Sequence, residues 1–244
     1  MSSFNDAEDP RRRLLIQGLA AGVFSSVVPE CALAEAILGS RPSKLPAGQS
    51  IYRISGKAFV NGKEATPETK IGPNDKVETG KNSELIFVVG NHAMIARSES
   101  KIEFKGIQKD KDSAVISGLR MLSGKLLSVS RNESMEMKTK TATIGIRGTG
   151  FYVEAEEDLT YFCTCYGLTE VVSNEDPTSK DTVAAKHHDK PLYIRTDGQA
   201  GQNIQLAGFR NHTDMELMLI ETLVGRTTPF VFPGNEYSAP RRGY

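Results

Sequence analysis

From residue 51 onward the chain reads as short apolar runs broken by turn residues. Residues 51–54, 57–60, 77–79, 84–89, 93–95 and 102–104 are rich in β-branched and aromatic side chains, and they recur about every 8–12 residues, as strands of all-β domains do. Asn61-Gly62, directly after the second run, is a strong hairpin-turn signal, and Gly72-Pro-Asn-Asp75 is a turn by composition. Further runs at 119–121, 125–129, 135–138, 160–165 and 169–172 continue the pattern. Residues 173–190 are polar and rich in Asp, Ser and Lys, which predicts a long surface loop, and 192–194 returns to strand. The period changes once. Thr213-Asp-Met-Glu216 is a capping box, in which Thr213 caps and Glu216 reaches back to the capping residue's N–H. Met215, Leu217, Met218, Leu219, Ile220, Leu223 and Val224 then give a helix with one broad apolar face, expected to close an open face or end of the sheet. Gly225 and Pro229 end it. The spacing predicts a mainly β fold, solenoid- or sandwich-like, with a C-terminal capping helix.

One stretch departs from ordinary strand chemistry: Thr141-Ala-Thr-Ile-Gly-Ile-Arg147-Gly-Thr-Gly-Phe151-Tyr-Val153. Glycines weaken a strand interior unless backbones approach closely or the chain bends with φ > 0. Gly145, Gly148 and Gly150 therefore predict a corner or bulge, where Arg147 would tie carbonyls or a carboxylate together. The stretch reads either as a structural corner or as a ligand site. Glu154, Glu156, Glu157 and Asp158, just beyond it, read as a solvated hairpin.

Composition removes some function classes. Lys+Arg and Asp+Glu are both 30 in a chain of 244 residues, tryptophan is absent and aromatics are 7%. Neither a basic surface nor a set of stacking platforms is available, so no nucleic-acid partner is expected. There is no phosphate loop, no His-Glu-x-x-His and no Gly-x-Ser-x-Gly, and Gly145-x-x-Gly148-x-Gly150 is followed by no helix. Enzymatic activity is therefore not expected.

The N-terminus carries an address. Arg11-Arg12-Arg13-Leu14-Leu15 opens an apolar run that ends at Pro29, shorter than the roughly 20 residues of a membrane span and suited to a secretory signal. Ala32-Leu33-Ala34 fits the small-x-small cleavage rule, and Arg11-Arg12-x-Leu-Leu resembles a twin-arginine core. The expected organisation is an export signal at 1–34, a linker at 35–50, a β domain at 51–175, a loop, strand and helix packed on it at 176–233, and a disordered tail at 234–244. Export implies a periplasmic location, no stable membrane span after cleavage, and a periplasmic or envelope protein partner. A retained N-terminal anchor is the alternative. Cys31 would leave with the signal, so no disulfide framework holds the fold.

Two cysteines remain. Cys163-Thr-Cys165 lies on an expected strand, so both thiols share a face. Their Cα atoms would stand about 6.5–7 Å apart, the outer limit for a disulfide, whereas two thiolates on one face match the bite of Zn²⁺ or Cu⁺. His187-His188 and His212 fall in the same C-terminal third. Adjacent histidines on an extended chain point apart, so one of His187 and His188 would join Cys163, Cys165 and His212 in a Cys₂His₂ site. The competing readings are two inert buried thiols, a structural or redox disulfide, solvated loop histidines, and His212 as an extension of the helix cap.

Several blocks in order resemble the FecR domain. Gly72-Pro-Asn-Asp75-Lys-Val77-Glu-Thr79-Gly80-x-x-Ser83-x-Leu85, Ser123-Gly124-Lys-Leu-Leu-Ser-Val129, the Arg147-Gly148-Thr149-x-Phe151-x-Val153 block and Tyr166-Gly167-Leu-Thr-Glu-Val171 are similar to its successive motifs. The resemblance covers roughly residues 50–175 and implies an exported β domain that works as a binding or sensory module; founding members relay an iron-siderophore signal to a cytoplasmic sigma factor. With ten residues before the arginines, the sigma-binding domain of that plan is not expected. The Cys-x-Cys, His-His and His-Thr-Asp pattern is similar to that of a subset of such proteins.

Overall fold

The computed structural model describes residues 42–110 and 113–230. The expected signal at 1–34, with its arginines, Cys31 and cleavage site, and the expected tail from 234 lie outside the described residues.

Thirteen strands form one sheet in which every pairing is antiparallel. They are β1 Ile51–Ser55, β2 Ala58–Val60, β3 Lys63–Glu64, β4 Lys76–Thr79, β5 Glu84–Val89, β6 His92–Ala96 and β7 Lys101–Asp110, followed by β8 Ser113–Lys138, β9 Ala142–Ala155, β10 Leu159–Ser173, β11 Lys180–Ala185, β12 Leu192–Arg195 and β13 Ile204–Leu206. Helix α1 spans Asp214–Leu223. The fold is mainly β, as the spacing predicts. Asn61 and Gly62 both take positive φ, the geometry that lets a two-residue loop join β2 to β3.

Strand β8 is the spine. The sequence reads as three strands there, yet the backbone stays extended for 26 residues. Its neighbours change along its length: β7 pairs with its first half, β6 and β9 flank its middle, and β9 alone pairs with its end. Gly124 absorbs one irregularity with φ +93, where a Cβ would stand 2.4 Å from the Ser100 backbone. Register slips between Ser130 and Ser134 supply another. Turn-like composition here marks bulges rather than strand ends.

A second difference lies in the expected loop at 173–190, which contains β11. Its exposure alternates and buries Val183 and Ala185 against the core. The polar residues are the outward half of a period-2 pattern, which a reading by composition cannot distinguish from a loop. The expectation for Glu154 is also corrected. Glu154 is 3% exposed and accepts hydrogen bonds from Tyr152 Oη, Arg210 and Asn211 at 2.8, 2.7 and 2.6 Å.

Val77 on β4, Phe151 on β9 and Ile194 on β12 belong to one hydrophobic cluster, so the sheet curls around it. A second cluster lies on the opposite face of the β5, β6, β8, β9 and β10 region. Leu217, Ile220 and Leu223 of α1 cover that face, while Met215 and Met218 point away. The cap is as predicted, with Thr213 Oγ1 accepting from the Glu216 N–H and Glu216 Oε2 accepting from the Thr213 N–H. Arg97 fastens the helix start to the sheet through Glu216 at 2.9 Å and Tyr152 Oη at 3.1 Å.

The glycine-rich stretch runs through β9. Gly148 takes φ +60, and Gly150 lies under the Tyr166 ring, where a Cβ would meet Cε1 at 2.5 Å. Arg147 pairs with Glu170 at 3.0 Å on the surface, Thr149 is fully buried, and Phe151 stacks on Phe162. At Gly145 a Cβ would meet Glu170 Cβ at 3.7 Å, an ordinary contact.

Candidate metal centre

The alternation of β10 sends Phe162 into the main core and Tyr161, Cys163 and Cys165 into the layer beneath α1. Strand β9 pairs along one edge of β10. Along the other edge, β12 covers residues 159–162 and β11 covers 167–172. Among the described residues, positions 163–166 therefore have no strand neighbour on that side. The connection between β11 and β12 fills the interval, with the His188 N–H donating to the Cys165 carbonyl at 2.9 Å. Asp189 closes the local turn by accepting from the N–H groups of Lys186 and His187. His188 itself sits at φ +54, a conformation that costs a residue with a Cβ about 1–2 kcal/mol. Backbone strain of this kind persists where surrounding contacts over-determine it, and it clusters at functional sites.

His212 arrives from the segment before α1. Its ring stacks on Tyr152 at 4.5 Å with an interplanar angle of 19°, and the Arg97–Tyr152–Glu154–Asn211 hydrogen bonds hold the segment on the sheet. Cys163, Cys165, His188 and His212 then offer four ligand atoms that all lie within 4.8 Å of one another. Cys163 Sγ is 3.6 Å from His188 Nδ1, and His212 Nε2 is 3.1 Å from the same nitrogen. Tetrahedral ligands at Zn–S of about 2.3 Å and Zn–N of about 2.0–2.1 Å stand about 3.3–3.8 Å apart. These two separations fall close to those edges.

The tautomers follow from the outer partners. His212 Nδ1 lies 2.7 Å from the Arg210 carbonyl, which can only accept, so this nitrogen carries the proton and Nε2 is bare. His188 Nε2 lies 2.9 Å from Asp214 Oδ1, so Nε2 donates and Nδ1 is bare. Two lone pairs thus face each other 3.1 Å apart beside a thiol pair. A cation between them relieves the repulsion, and a proton or a metal ion would serve. A carboxylate or carbonyl behind each imidazole is the usual outer arrangement of metal-bound histidine.

Both thiols are fully buried and His212 is 1% exposed. With a proton in that place and no metal, hydrogen bonding from Cys165, His188 and His212 holds the Cys163 thiol well below its ordinary range, while burial pushes Cys165 up. Burial opposes charge on His188, but Cys163 and Asp214 outweigh it and raise its pKa. The pocket is built for one thiolate at least.

His187 is placed outside the four. Its Nε2 meets both oxygens of Asp214 at 3.0 and 2.9 Å, and its side chain is 41% exposed. Asp214, buried at the first turn of α1, is the residue that sequence reasoning missed. Its signal was its place immediately after the Thr213 cap, where an acid favours the helix dipole. Arg147, Gly148 and Phe151 are not among the residues of the cluster. Cys163 and Cys165 are both free thiols, with no disulfide between them.

No protein-family model matches the sequence, and no curated protein matches it. Two solved structures are similar to it, both described as crystal structures of a "putative anti-sigma factor" from Parabacteroides distasonis ATCC 8503, at 14% and 13% identity with a TM-score of 0.42. Each comparison covers 54% of this chain and 58% of the other.

Proposed function

We propose that this chain is an exported FecR-like β domain that holds one transition-metal ion at Cys163, Cys165, His188 and His212, and acts as a non-enzymatic binding or sensory module. The observation that carries the reading is the convergence of four ligand atoms from three separate segments, two of them imidazoles with bare nitrogens turned inward. Two thiolates with two imidazoles in tetrahedral reach suit Zn²⁺; Cu⁺ favours an all-sulfur set. Four protein donors leave no open position, which favours a structural or regulatory ion over a hydrolytic one. Such an ion joins β10, the β11–β12 connection and the segment leading into α1, so it fixes the C-terminal layer on the sheet. The FecR-type motifs support the family reading, and the expected export signal at 1–34 supports a periplasmic location with an envelope partner.

Metal analysis of the purified chain tests the centre. One zinc per chain, lost in Cys163→Ser and in His212→Ala, is expected. A chain that stays metal-free after incubation with zinc, with both thiols inaccessible to a thiol reagent, would remove the metal reading. Cell fractionation tests the location: recovery in the cytosol with the leader intact would overturn export.

A further inference from the structure

Building on the metal-centre reading, we propose that Cys163 and Cys165 form an oxidation site, at which a small hydroperoxide turns the thiol pair into a disulfide and releases the ion. The two sulfurs are not equivalent. Cys163 Sγ contacts His188 Nδ1 at 3.6 Å, and His188, 8% exposed, belongs to the surface connection that covers the interval in β10. Cys165 Sγ is turned back toward the Cys163 carbonyl at 3.9 Å and is fully buried. Cys163 is therefore the attacking thiol and Cys165 the resolving one.

Backbone geometry permits the closure. On a regular strand, Cα atoms two residues apart stand about 6.6–6.8 Å from each other, near the limit for a disulfide. Strand β10 is irregular at this point. Its ladder to β9 passes from Thr164–Phe151 to Tyr166–Gly150, so Cys165 faces no residue on β9. Along the other edge, positions 163–166 have no strand neighbour. Kinking the chain at Cys165 thus breaks little of the ladder, and the His188 N–H bond that it does disturb belongs to the connection carrying a ligand.

The steps balance. The Cys163 thiolate attacks one peroxide oxygen: an S–O bond forms, the O–O bond breaks, and the departing oxygen leaves as water or an alcohol with a proton from solvent. Cys165 then attacks the Cys163 sulfur: an S–S bond forms, the S–O bond breaks, and hydroxide leaves as water with the Cys165 proton. Two thiols are oxidised by two electrons in all, and one hydroperoxide is reduced. Two imidazoles alone then face the ion, and a ligand set halved in this way does not retain it.

The test uses the full zinc-loaded chain treated with hydrogen peroxide, with released zinc followed by a chromogenic chelator and the thiols by peptide mapping. One zinc released per chain in step with a Cys163–Cys165 disulfide, reversed by a dithiol reductant with zinc, is expected. In Cys165→Ser, a dimedone adduct should appear on Cys163, whereas Cys163→Ser should give none on Cys165. Zinc retained under peroxide, or released with sulfinic acid and no disulfide, would overturn the proposal, and the mapping of the unmodified chain decides this even if a variant misfolds. A chain that binds no zinc would sink the metal reading instead; the oxidation step then stands or falls on whether the same disulfide forms in the metal-free chain.

Discussion

Replacing Asp214 by Asn tests the centre through a residue that touches no ion. The substitution keeps the shape but removes the charge behind His188, leaving one carbonyl oxygen to accept from Nε2 and an amide facing His187. Outer partners of metal-bound histidine are worth about 10–100-fold in affinity, which is about 1.4–2.8 kcal/mol. Loss of an acid from the first helical turn costs a further 0.3–1 kcal/mol or so, with or without metal. At fixed free zinc well above the dissociation constant, the affinity loss subtracts directly from the stabilisation that binding confers. For a domain of this size about 1 kcal/mol shifts the melting temperature by about 2–4 °C. The metal-free variant should therefore melt about 1–4 °C lower, and the zinc-loaded variant about 4–15 °C lower. Competition with a chelator of known affinity gives the zinc constant, and melts in chelator and in excess zinc give the two shifts. A purely structural Asp214 would move both melts equally and leave the affinity within about threefold, under about 0.7 kcal/mol; that result would refute the outer-partner role and weaken the centre.

His187→Ala should change zinc affinity by less than about threefold, because His187 binds Asp214 from the solvent side and not the ligand cluster; a tenfold loss in the same competition assay would promote it to a ligand. Glu154→Ala leaves Arg210, Asn211 and the Tyr152 hydroxyl without their shared acceptor, and because Arg210 is 34% exposed the loss should cost about 1–3 kcal/mol in a denaturant titration. Gly150→Ala forces a Cβ onto the Tyr166 ring, which is anchored on Glu221, so about 1–3 kcal/mol of overpacking is expected. Gly145→Ala, with its nearest atom at 3.7 Å, should stay within about 0.5 kcal/mol of the parent. Zinc should be released as pH falls, because thiolates and neutral imidazoles bind while their protonated forms do not; a chelator titration that gives the same affinity at pH 5 and pH 8 would contradict thiolate ligation.

Much of this architecture could be read before any coordinates, because its signals are local. The Asn61-Gly62 turn, the Thr213–Glu216 box and the alternation of β4 each depend on neighbours within a few residues. What escaped depends on distant partners. The continuity of β8 across Gly124 arises from β6 and β9 on either side, and the burial of Glu154 arises from Arg210 and Asn211, more than fifty residues away. The cluster falls between these cases. The chemistry of Cys163, Cys165 and the histidines pointed to a shared site, but the choice of His188 over His187 arises from a turn closed by Asp189 and a left-handed backbone, which residue types alone do not report. The Arg147 corner reads as a tie in sequence and is a surface ion pair with Glu170.

The break in partners along β10 also sets a length. Strand β11 ends opposite Gly167 and β12 begins opposite Phe162, a distance of about 16–17 Å along the strand. Six residues, 186–191, must cross it while turning once. Adding or deleting a single residue there would leave both ladders intact and yet swing the imidazole of His188 off its bearing, so homologous chains that keep the two thiols should tolerate changes of composition in this bridge far better than changes of its length.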